Sequence, residues 1–89
     1  MKNMYFPSNS ELESAVLQAL VDLGGVADVP AIKTKLIENL NLSEEVVTLE
    51  DESGLGTKLD YRLRWARTTL KSKGKIKNIK RGTWEIIPE

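Results

Sequence analysis

The sequence predicts a mostly α fold closed by a small antiparallel β-hairpin, and three observations carry that prediction. Leu59, Leu63, Ala66 and Leu70 fall at steps of four, three and four, which places them on one stripe of a helix with 3.6 residues per turn. Ile76, Asn78 and Ile79, then Trp84, Ile86 and Ile87, flank Lys80-Arg81-Gly82, the pattern of two short strands joined by a basic turn. Upstream, Leu12, Ala15, Val16, Ala19, Leu20 and Leu23 repeat at steps of three and four and form the clearest amphipathic helix in the chain. Helices followed by a basic helix and a basic hairpin are the arrangement of a winged helix-turn-helix.

Taken in order, Pro7-Ser8-Asn9-Ser10 opens a helix over about 8–23, with Ser10 as the expected cap and Glu13 three residues on completing a capping box. Gly24-Gly25 ends it. Val26-Ala27 is expected to add a brief strand to the C-terminal hairpin, and Asp28 to cap a second helix over about 29–40. Pro30 stands in the first turn of that helix, where its missing N-H costs little, and Ile32, Leu36, Ile37 and Leu40 line one face. Ser43 with Glu44 and Glu45 starts a short third helix over about 43–49. Glu50-Asp51-Glu52-Ser53-Gly54 breaks it, and Leu55-Gly56 serves as a hinge into the basic helix, about 58–73, capped by Thr57 and stopped at Gly74. Hairpin strands are expected at about 75–79 and 83–87. One domain over 1–89 accounts for the whole chain, since 89 residues leave no room for a second core.

Formal charge is zero, but the average hides a polarised chain. Residues 1–52 carry three lysines against ten carboxylates, net −7, whereas residues 53–89 carry ten basic groups against three carboxylates, net +7. The basic half is what a phosphate backbone would meet. Cysteine and histidine are both absent, so a disulfide framework, a thiol nucleophile, an imidazole base and imidazole or thiolate metal ligands are excluded. No Asp/Glu-x-Lys triplet and no glycine-rich phosphate loop occur. The run Glu50-Asp51-Glu52 lacks the spaced ligands of a calcium loop and reads as a solvated loop. No enzyme is expected from these residues, and no cofactor. No apolar stretch approaches the roughly 20 residues of a membrane span, so a soluble, cytoplasmic chain is expected.

On the basic helix one flank of the apolar stripe carries Asp60, Arg64, Arg67 and Lys71, with Thr57, Tyr61, Thr68 and Ser72 farther round; the other carries Lys58, Arg62, Trp65 and Thr69. A helix mixing arginine, hydroxyls and an aromatic on its outer face suits a major groove, where arginine pairs bidentately with guanine. Arg64, Thr68 and Lys71 are the first choices for base and phosphate contact, with Lys58, Tyr61 and Arg67 beside them. Lys77, Lys80 and Arg81 form a basic wing that suits a phosphate backbone. An ordinary solvated helix face is the competing reading, and it weakens because wing and helix are both basic. Arg62 is either a phosphate contact or the partner of a carboxylate on the first two helices. Trp65 and Trp84 are read as core, beside an apolar stripe and in alternation with Ile86, and Tyr61 as the exposed aromatic.

Tyr61-Arg62-Leu63-Arg64-Trp65-Ala66-Arg67, Leu70-Lys71-Ser72-Lys73-Gly74-Lys75-Ile76 and Arg81-Gly82-Thr83-Trp84-Glu85-Ile86 together resemble the N-terminal domain of Mrr-type restriction proteins. The pattern there is an arginine before Trp-Ala, a Leu-Lys-x-x-Gly helix end and Arg-Gly-x-Trp in the hairpin. The leading amphipathic helix, the Gly-Gly break and Leu40-Asn41-Leu42-Ser43 agree too. The resemblance implies a winged-helix DNA-binding domain, joined in the family to a separate nuclease domain and in some members directed to modified DNA. Arg62, Arg67 and Arg81 match family basic positions, while Arg64, Lys77 and Lys80 are expected to vary. Whether the chain is a small complete protein or part of a longer restriction protein is open.

Two functions therefore compete. The first is a non-catalytic module whose recognition helix, 58–73, enters the major groove of double-stranded DNA while the wing, 77–82, meets the backbone. The alternative is a protein-interaction or dimerisation module, with the acidic half docking on a basic partner or a second copy; an attached nuclease domain is a separate candidate partner. Arg62, Lys73 and Lys75 discriminate: spending them on internal ion pairs weakens the case for DNA.

Overall fold

The computed structural model describes residues 6–54 and 56–88. Four helices and three strands follow in the order α1 (Asn9–Asp22), β1 (Val26–Asp28), α2 (Val29–Leu40), α3 (Glu44–Thr48), α4 (Lys58–Ser72), β2 (Ile76–Lys80) and β3 (Thr83–Ile86). The fold is mostly helical with a three-stranded antiparallel sheet, a winged-helix-like arrangement.

Side chains near each end set the helix starts. Ser8, not Ser10, caps α1: the Glu11 amide donates to Ser8 Oγ at 3.2 Å and the Ser8 amide donates to Glu11 Oε1 at 3.2 Å, a complete capping box. Both serines stand three residues before a glutamate, so the box alone does not choose. The earlier start puts Pro7 before the cap and Leu12 four positions after it, the two places of a hydrophobic staple, and both are buried. Asp28 caps α2 by accepting from the Ala31 amide at 2.9 Å, Ser43 caps α3, and Thr57 caps α4 by accepting from the Asp60 amide at 3.2 Å. Asn41, in the left-handed region at φ 51°, closes α2. Gly74 at φ 74° closes α4, its amide bonding Lys71 O and the Lys75 amide bonding Leu70 O.

The sheet order is β1-β3-β2. Val26, Ala27 and Asp28 pair with Glu85, Trp84 and Thr83, so the short upstream strand does join the hairpin. Between β2 and β3 the register runs Ile76 to Ile86, Lys77 to Glu85 and Asn78 to Trp84, then slips so that Lys80 faces Thr83 and Ile79 is the extra residue. That bulge bends the strand toward its turn. The Val29 amide donates to Gly82 O at 3.1 Å, which ties the start of α2 to the turn of the wing.

The core joins α1, α2, α4 and the base of the hairpin. Leu12, Val16, Ala19 and Leu20 of α1 pack with Ile32 and Leu36 of α2, with Leu59, Leu63, Ala66 and Leu70 of α4, and with Ile76 of β2. The stripe on α4 is thus wholly buried, which fixes which way its other faces point. Trp84 packs half-buried against this core, whereas Trp65 is 55 % exposed, contrary to the expectation that both are core. The reason is angular: at about 100° per residue Trp65 lies on the side of α4 away from the Leu63–Ala66 stripe. The Glu50-Asp51-Glu52 run folds locally, with Asp51 Oδ2 accepting from the Ser53 amide at 3.0 Å and the Glu50 backbone forming an isolated antiparallel bridge with Thr57. These bonds from Ser53 draw the Asp51 carboxyl below its ordinary value. The expected hinge falls partly on Leu55, which lies outside the described residues, as do Met1–Tyr5. Among the described residues, no helix is long and apolar enough to cross a membrane.

Candidate nucleic-acid interface

Burying Leu59, Leu63, Ala66 and Leu70 turns Arg64, Arg67 and Lys71 toward the wing, because these three stand at steps of three and four on the adjoining face. The β2–β3 turn then brings Lys80 and Arg81 opposite them. Between helix and wing lies a groove of about 870 Å³ lined by Arg64, Arg67, Thr68 and Lys71 on one side, Asn78 to Gly82 on the other, and Trp84 and Val29. Five cations share it, and among the described residues no carboxylate lines it.

The chain's basic residues divide sharply in what they touch. Lys33 Nζ stands 2.7 Å from Asp60 Oδ1, Lys73 Nζ 3.0 Å from Glu13 Oε1, and Lys77 Nζ 3.2 Å from Glu85 Oε1. The Arg62 guanidinium donates to Asn9 Oδ1 at 2.8 Å and lies over the Phe6 ring, 6.0 Å from its centroid; Lys58 Nζ lies 4.6 Å from the same centroid. Each of these ties two elements together. Arg62 is therefore engaged within the fold, although its partner is an amide and not the expected carboxylate. By contrast, among the described residues, none of the side chains of Arg64, Arg67, Lys71, Lys80 and Arg81 is committed to a hydrogen bond or ion pair.

Arg67 is the most enclosed of the five, half-buried where the others are exposed. Burial first, and the neighbouring Arg64 charge second, draw its guanidinium below the ordinary arginine value, while Asp60 works the other way. A cation under that pressure gains from an anion placed in the groove. The Thr68 hydroxyl donates back to Arg64 O at 3.0 Å, so its lone pairs are what it offers outward.

Of the residues singled out in the sequence, the groove gathers Arg64, Arg67, Thr68, Lys71, Lys80 and Arg81. Lys58 lies on the far flank over Phe6, Lys77 is matched to Glu85, and Tyr61 stands 48 % exposed on the outer face of α4 beside Trp65. Asn78, Ile79, Val29 and Trp84 line the groove without having been singled out as interface residues. For Asn78 and Ile79 the available signal was their position next to Lys80 in the hairpin; nothing in the sequence near Val29 marks it as part of the same groove.

No curated protein and no solved structure matches the chain. A family model described as the Mrr N-terminal domain matches residues 10–89, a span that includes α4, the wing and most of α1. That family carries an association with restriction systems. With nearly its whole length matched, the chain belongs to the Mrr N-terminal domain family.

Proposed function

We propose that this chain is a single winged-helix domain that binds duplex DNA without catalysing a reaction on it, as the target-recognition part of a restriction-type system. Strand cleavage in such a system would fall to a separate nuclease domain. By the discriminator set out from the sequence, the Lys73–Glu13 pair counts against DNA; the observation that carries this reading is that five other cations, Arg64, Arg67, Lys71, Lys80 and Arg81, meet uncommitted in one groove between α4 and the wing that has no carboxylate among its described lining residues. An array of that kind is complementary to closely spaced phosphates.

The 15 residues of α4 make a rod about 22 Å long, suited to the roughly 12 Å width of the major groove. Arg64 and Thr68 face outward for base edges. Arg67 and Lys71 flank them toward the wing for phosphates, and Lys80 and Arg81 reach the backbone or the neighbouring minor groove. Phosphate contacts set affinity and register, and the outer face of α4 carries what sequence preference there is.

Titrating binding to a labelled duplex of mixed sequence from about 50 to 200 mM salt tests the reading. The logarithm of affinity is expected to fall against log salt with a slope of about −4. Arg64→Ala, Lys71→Ala and Arg81→Ala each weaken binding, and the slope shallows by about one unit for each phosphate the variant no longer neutralises. Absence of binding at the lowest salt would overturn it and leave a protein partner as the reading to pursue.

A further inference from the structure

The wing carries an apolar side chain where its register breaks. Continued from Ile76–Ile86, Lys77–Glu85 and Asn78–Trp84, regular pairing would set Ile79 opposite Thr83; Lys80 holds that place instead, and Ile79 is left as the unpaired residue of the bulge. It is 48 % exposed, whereas Ile32 and Ile76 are buried and Ile37 and Ile86 pack against the core. The Asn78 side-chain amide donates to Thr83 O at 3.3 Å across the break, a bond that holds the bulge in shape. Ile79 lines the groove together with Arg64, Arg67, Lys71, Lys80 and Arg81, and Lys80 follows it directly in the chain. The carboxylates at neighbouring strand positions are engaged elsewhere, Glu85 with Lys77 at 3.2 Å and Asp28 with the Ala31 amide at 2.9 Å, and neither is among the described residues that line the groove. Asp60, whose charge reaches Arg67, is held by Lys33 at 2.7 Å.

The occupant that fits an apolar side chain set among uncommitted cations is a DNA minor groove, an assignment that rests on the DNA-binding reading above. Phosphates drawn to the cations bring base steps against the wing, and the apolar surface a duplex offers there is the space between two stacked pairs. We infer that Ile79 is a wedge that enters the minor groove, partly unstacks one base step and bends the duplex toward its major groove. That is the direction which closes the duplex around α4. The bulge serves the wedge by re-aiming this part of the strand, and the branched Cβ of isoleucine restricts its first torsion, so little ordering remains to be done on insertion. Pyrimidine–purine steps open at least cost, so a TA step is the expected place of entry.

The test uses a duplex of mixed sequence with one central TA step, a donor dye at one end and an acceptor at the other, titrated with the chain at about 50 mM salt. Energy transfer is expected to rise on binding, to the extent of a bend of about 20° or more. Ile79→Ala and Ile79→Thr are expected to bind about tenfold more weakly with the salt slope unchanged, and to leave energy transfer at the value of the free duplex. Ile79→Leu is expected to restore the rise. Arg81→Ala is expected to do the reverse of Ile79→Ala, keeping the bend at saturation while the salt slope shallows. A complex with the energy transfer of the free duplex, or a bend of unchanged size in Ile79→Ala, overturns the inference and leaves the DNA reading standing. Failure of the unchanged chain to bind at this salt sinks both.

Discussion

The amine of Lys77 lies 3.2 Å from the Glu85 carboxylate on the paired strand, while Lys80 and Arg81, three and four residues on, face a groove with no carboxylate among its described lining residues. Cations within one hairpin therefore have different duties. Lys77→Ala is expected to leave the salt slope of DNA binding nearly unchanged, whereas Arg81→Ala shallows it by about one unit. Anisotropy titrations of the two variants across the same salt range check this; equal effects would mean that pairing with Glu85 does not withhold Lys77 from the backbone.

The residue that would damage the fold most directly is Leu63. Its side chain is 2 % exposed at the centre of the α4 stripe, packed in the cluster shared by α1, α2 and β2. Truncation to alanine removes buried methyl groups and leaves a cavity, a change that costs about 2–5 kcal/mol. A chain of 89 residues has roughly 5–13 kcal/mol in all. Urea unfolding of Leu63→Ala is therefore expected to show a midpoint well below that of the unchanged chain, with α4 and its interface lost together.

Most of the local punctuation was legible because it depends on neighbouring residues. Asp28, Ser43 and Thr57 cap the helices that follow them, Gly74 ends α4, and Val26-Ala27 pairs with the hairpin, all as the sequence led one to expect. Ser8 against Ser10 was ambiguous because both head the same box, and only burial of Pro7 and Leu12 separates them. Residue type points Trp65 to the core, but its angle on the helix already places it off the stripe. The sorting of the cations was not legible at all. Lys73 finds Glu13 60 positions away and Lys33 finds Asp60 on another helix, and such pairs are set by how α1, α2 and α4 pack, not by spacing. The groove was half legible: its charges were visible, but the convergence of α4, Val29 and the bulged strand at Ile79 depends on that same packing.

Gly74 offers a measurement of backbone strain separate from packing. It sits at φ 74°, and a Cβ built there meets nothing within 4 Å, so any cost of a side chain is conformational. Gly74→Ala is expected to destabilise by about 1–2 kcal/mol, the penalty for an L-residue in the left-handed region. Thermal unfolding followed by circular dichroism checks this. A larger loss would mean that the turn carries more than the two bonds it makes, from the Gly74 amide to Lys71 O and from the Lys75 amide to Leu70 O.

Asp60 gives the fold a pH dependence whose direction follows from its partners. The bond from Lys33 Nζ, chiefly, and that with Thr57 hold its carboxyl below the ordinary 3.8, against a smaller push from burial in the other direction. A carboxylate whose value is lowered on folding contributes stability that is complete well above its unfolded value. That contribution fades once protonation of the unfolded chain begins near pH 4, and it is gone when pH has fallen through the lower folded value. Because the Asp60 side chain is 55 % exposed and that of Lys33 27 %, the contribution belongs with surface pairs, below about 1 kcal/mol. Asp60→Asn is accordingly expected to be slightly less stable than the unchanged chain at pH 7, with the difference closing as pH falls through the lowered folded value. Asp22 and Asp51, also held low by hydrogen bonds, are present in both proteins and drop out of the comparison. Urea midpoints for the pair at a series of pH values decide it: a gap that stays constant through the acid range would mean that Lys33 and Asp60 are neighbours without being coupled.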